Sequence, residues 1–75
     1  MREQETIEIK KIKNPFEKAI LLFLKSNGKY IYGDIIKELK LPTAKGQESI
    51  YSLMQKGLIK HVDQSSYLKL NVDIK

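Results

Sequence analysis

The chain predicts an α+β domain of three helices closed by a C-terminal β-hairpin, and three observations in its 75 residues carry that expectation. Apolar residues recur at helical spacing behind Asn14-Pro15. A second helical stripe breaks at Leu41-Pro42, and a third starts immediately after it. Beyond Gly57 the apolar period changes from that of a helix to that of a strand.

In chain order, ETIEIKK alternates Ile7 and Ile9 with Glu8 and Lys10, the pattern of a half-buried strand that slips before Ile12. Residues 1–14 are therefore an added N-terminal strand or a charged arm, and residues 15–75 the domain proper. Asn14 supplies an N-cap and Pro15 a first helical residue. Phe16, Ala19, Ile20, Phe23 and Leu24 then make one face, widened by Leu21 and Leu22, and Asn27-Gly28 stops the helix. Lys29 to Tyr32, KYIY, favours a single short edge strand.

Gly33 to Lys40 places Ile35, Ile36 and Leu39 on one helical face and must end ahead of Leu41-Pro42, since the residue before a proline is pushed out of the α region. Thr43 is expected to cap the third helix, whose inward stripe is Ile50, Leu53 and Met54 and whose end is a left-handed Gly57. Gly46 inside that helix costs about 1 kcal/mol relative to alanine, so it should permit a close approach, of the second helix or of a phosphate. Leu58 to Asp63 reads as a strand, Gln64 to Ser66 as a turn, and YLKLNVDI as a longer strand. Its Leu68, Leu70, Val72 and Ile74 oppose Lys69, Asn71 and Asp73. The distal half of that arm has no partner in the hairpin; the N-terminal segment can cover it, within one chain or between two.

Composition bounds the function. The formal net charge is +5, the pI is about 9.5, and thirteen of the fourteen basic residues are Lys. Such an excess suits an anionic partner such as nucleic acid, or else is an ordinary solvated face. There is no Cys, so disulfides and thiolate metal sites are excluded, and His61, the one histidine, has no acidic cluster at ligand spacing. Gly28, Gly33, Gly46 and Gly57 are too scattered for a phosphate-binding loop. No catalytic residues, metal, cofactor or small-molecule ligand are expected. MREQETIEI carries acids where an export signal has an apolar stretch, and AILLFL is too short to span a bilayer, so a soluble cytoplasmic protein without a membrane partner is expected.

Helix, short strand, helix, turn, helix, hairpin resembles the winged helix-turn-helix family from about Phe16 to Leu70. The matching residues are GKYIYGDIIKEL, the LP of the turn, and SIYSLMQKGLIK, with its Leu53-to-Ile59 ending. The resemblance implies a third helix lying in the major groove of duplex DNA, with Lys45, Glu48, Ser49, Ser52 and Gln55 outward and Tyr51 and Lys56 on the flanks. Lys45 would hold a phosphate or guanine, the serines a phosphate or base, Gln55 an adenine and Glu48 a cytosine. Lys60, His61 and Lys69 would rest the wing on the backbone, with Lys37 and Lys40 beside the turn. The helix contains no Arg, the commonest reader of guanine, and Glu48 sits centrally, so strong sequence specificity is not expected from it.

LPTAKGQESIY followed by SLMQKGLI is also similar to the third helix of Z-alpha domains, winged helices that read left-handed duplexes by shape. Tyr51 matches the tyrosine of that family, whereas Gln47 stands at its asparagine, Thr43 at its lysine, and Ser65-Ser66-Tyr67 in place of its proline pair and tryptophan. The plainer expectation is that Tyr51 packs one ring edge on the first helix. The winged-helix resemblance implies a small DNA-binding transcriptional regulator, acting as a homodimer through the first helix or the Ile7/Ile9 strand, with a Z-form duplex shape reader as a minor alternative. The competing reading is a protein-docking module using Glu48, Tyr30 and Tyr32.

Overall fold

The computed structural model describes residues 5–75; the first four residues of the 1–14 arm lie outside the described residues. The chain runs β1 (Thr6–Ile7), a 3-10 turn (Ile9–Lys11), α1 (Pro15–Asn27), β2 (Lys29–Ile31), α2 (Tyr32–Glu38), α3 (Thr43–Gln55), β3 (Ile59–His61), β4 (Tyr67–Leu70) and β5 (Asp73–Ile74). This is the predicted order of three helices and a hairpin, with the N-terminal strand added.

Local chemistry sets the helix boundaries. The Asn14 side-chain oxygen accepts from the backbone N–H of Phe16 at 2.8 Å and of Glu17 at 3.3 Å, and α1 closes on Gly28 at φ +81°, whose N–H donates to the Leu24 carbonyl. Lys40 takes the left-handed conformation after α2, at φ +55°, before Pro42 forbids further helix. Thr43 does not cap α3. Pro42 holds the N-cap position in an extended conformation, and Thr43 is already the first helical residue, with no side-chain cap. Gly57, at φ +76°, reverses the chain as expected.

The sheet order is β2-β4-β3, all antiparallel, so β2 is the edge strand that KYIY suggested. The long second arm of the hairpin divides: after Leu70 the chain bends, and β5 leaves the sheet to pair in parallel with β1, Thr6 opposite Asp73 and Ile7 opposite Ile74. The Ile9 N–H extends this pairing to the Lys75 carbonyl at 2.8 Å. The cover over the distal arm is thus made within one chain.

Ile20, Leu21, Leu24, Ile35, Ile50, Leu53 and Leu68 fill the centre, and Ile7, Ile9 and Ile12 pack on it from outside. Gly46 is buried against α2: a Cβ there would lie 2.9 Å from Ile36 Cγ1. Its role is close helix approach, not phosphate contact. Tyr30 and Tyr32 also belong to this packing, both half-buried against the core, with the Tyr30 ring edge-on to Phe23 at 4.7 Å between centroids. Both rings spend part of their surface on the core, which leaves less of them for the docking surface the sequence suggested. No helix of the described residues is long and apolar enough to cross a membrane.

Candidate nucleic-acid interface

Helix α3 presents Thr43, Lys45, Gln47, Glu48, Tyr51 and Gln55 to solvent, with Ser52 half-buried beside them. Its buried stripe is Gly46, Ser49, Ile50 and Leu53, not the Ile50, Leu53, Met54 stripe that apolar character suggested. The helix is therefore rolled toward Ser49, and three assignments change.

Ser49 is only 4% exposed and borders a polar cleft with Asn14, Glu17, Glu48 and Ser52; it is not on the outward face. Tyr51, expected to pack on the first helix, is 66% exposed. It lies five positions after Gly46, nearly opposite the buried stripe at about 100° per residue, so its ring stands in solvent between Glu48 and Gln55. Lys56 also leaves the face, since its Nζ is 2.9 Å from Glu17 Oε1. Glu17 itself is 4% exposed, and a buried carboxylate needs such a partner. The sequence held a signal for that pair: Glu17 precedes Ile20, Leu21 and Leu24 at core spacing.

Lys45 Nζ lies 3.9 Å from Glu48 Oε1, both well exposed, a contact worth a few tenths of a kcal/mol at most (~0.3). It offsets the lysine's charge locally, so the α3 face is polar, nearly neutral and centred on an aromatic ring. Lys37, Lys40, Thr43 and Gln47 rim an open groove between α2 and α3 of about 370 Å³.

The positive charge is carried by the wing instead. Lys60, His61 and Lys69, expected to flank the hairpin turn, lie on the two strands leading to it. His61 stays at the turn, where its Nδ1 donates to the Ser65 carbonyl at 3.2 Å. Lys60 and Lys69 are directly opposite each other, and Lys69 is opposite Lys29 on its other side. Lys29 went unnoticed because only the pairing of β2 with β4 brings it into this row. Beside the row, Lys29 Nζ lies 5.1 Å from the centroid of the Tyr67 ring. Among the described residues, no group of three or more His, Cys, Asp or Glu side chains is placed to hold a metal ion.

No family model matches the chain, and no curated protein matches it. Among solved structures it is similar to the Zalpha domain from Carassius auratus PKZ, crystallised in complex with Z-DNA. The TM-score is 0.64 and the identity 27%, over 73% of this chain and 90% of that one. The helices, the hairpin sheet and this likeness agree, and the chain has a winged-helix fold.

Proposed function

We propose that the chain binds duplex DNA through the outward face of α3, with the wing lysines adding sequence-independent attraction to phosphates, and that its cellular role is that of a small regulator. The observation that carries this is Tyr51: a ring 66% exposed at the centre of a nearly neutral face is a contact surface awaiting a partner. Thr43, Lys45, Gln47, Glu48, Ser52 and Gln55 surround it, and two copies on neighbouring turns would double the length of duplex contacted.

A second, narrower reading is recognition of the left-handed duplex by shape. Two things favour it: the exposure of Tyr51 at the position where Z-alpha domains carry their tyrosine, and the likeness to a domain solved with Z-DNA. The absence of Arg from α3 fits shape reading better than base reading.

Fluorescence anisotropy with two duplexes tests both. One is of mixed sequence, and the other is an alternating dC-dG duplex locked left-handed by bromination. Tyr51→Ala is expected to weaken binding about tenfold, equivalent to about 1.4 kcal/mol, with Tyr51→Phe close to the parent. Preference for the brominated duplex selects the shape reader; preference for particular mixed sequences selects the base reader. If neither duplex binds at low salt, the proposal fails.

A further inference from the structure

We propose that the outer face of the β2-β4-β3 sheet is a second nucleic-acid surface, separate from α3, and that it takes an unpaired single strand. The register carries the argument. Lys29, Lys69 and Lys60 stand in one row across three adjacent strands, about 5 Å apart from strand to strand. Like charges directly opposite one another destabilise a sheet. Among the described residues, the ion pairs join Lys10 to Glu8, Lys45 to Glu48 and Lys56 to Glu17, so no carboxylate relieves this row. An external polyanion would.

The same alternation that aims these lysines outward aims Ile31 and Tyr67 outward with them, opposite each other in the ladder. Both are exposed, Tyr67 at 39%. The inward set on the same strands is Tyr30, Ile59 and Leu68, so the lysine face is turned away from the helices.

An aromatic ring and an aliphatic side chain between lysines on a pleated surface suit stacked bases flanked by phosphates. This composition decides between partners. In a duplex the base faces are hidden within the stack, and a ring on a flat sheet cannot reach them. A single strand offers both base faces and backbone. An acidic peptide would satisfy the lysines and make no use of the ring. Lys29, 5.1 Å from the Tyr67 ring centroid, steadies the ring and holds an ammonium where the phosphate of a stacked nucleotide would follow.

The experiment uses the full chain with labelled oligothymidylate and oligouridylate of about a dozen nucleotides, within the span such surfaces cover. Anisotropy is recorded at several salt concentrations. Both oligomers are expected to bind at low salt. Tyr67→Ala should weaken binding roughly tenfold, and Tyr67→Phe should retain it. Replacing Lys29 and Lys69 together by Gln should flatten the log–log salt slope by about 1.4, two released counterions on a single strand. Tyr51→Ala should change nothing here, so this surface and the α3 reading stand or fall separately. The Phe and Gln variants keep the test open should Tyr67→Ala fold poorly, as circular dichroism would show. Three results would overturn the proposal: no saturable binding to either oligomer, equal binding by the Tyr67 variants and the parent, or equally tight binding of polyglutamate. A preference between thymidylate and uridylate identifies which strand it takes.

Discussion

Gly46 shows how one side chain, by its absence, fixes the position of a functional surface. It sits in the buried stripe of α3 and lets Ile36 of α2 approach where a Cβ would be 2.9 Å from Cγ1. Glycine within a helix is about 1 kcal/mol worse than alanine, while overfilling a packed contact costs about 1–3 kcal/mol. The second effect should win here, because the neighbour is the branched stem of a buried isoleucine and not a flexible tip. Gly46→Ala is therefore expected to lower stability by about 1 kcal/mol despite its better helix propensity. In an Ile36→Ala background the same change should be neutral or stabilising. Thermal melts of the four proteins give the coupling directly; a Gly46→Ala protein more stable than the parent would show that the two helices have room to spare.

At the scale of the element, strand β4 holds Lys69 between Lys29 and Lys60, a row of like charges that costs the sheet some stability. Lys69→Glu converts two like-charge pairs into two attractive ones, each worth a few tenths of a kcal/mol when exposed (~0.3). The variant should melt a few degrees higher at low salt, by about 4 °C for a domain this small. The gain should shrink as salt is added. No rise at low salt would mean the three ammonium groups splay far enough apart not to interact.

Much of the element order was legible because its signals are local: Asn14-Pro15, Gly28, Leu41-Pro42 and Gly57 each act on their own backbone. The roll of α3 was less so, since Met54 is apolar and Ser49 small, and only packing against α1 shows that Ser49 goes in. The break between β4 and β5 was hidden because Leu68, Leu70, Val72 and Ile74 keep strict alternation through the bend. The lysine row depends wholly on which strands pair, a non-local fact that periodicity within one strand cannot carry.

For the whole molecule, size and the use of its edges set how it would meet a duplex under the proposed function. Its extents are 38 × 29 × 21 Å, while the thirteen residues of α3 make a rod about 20 Å long. One turn of duplex is about 34–36 Å, so a single copy would contact only part of a turn. The strand that could have linked two chains is paired with β5 inside one. Leu22 on α1 is 43% exposed, a scattered apolar residue of the kind monomers carry. We therefore expect the free protein to sediment as a monomer at about tens of micromolar, a range in which modest dimers would persist, and two copies to assemble on a duplex of about two turns. Sedimentation of the protein alone and with that duplex checks both halves. A dimer without DNA would point to an interface on α1. One copy per duplex at saturation would mean that each domain acts singly, and that affinity must come from α3 and the lysine-bearing wing of one molecule.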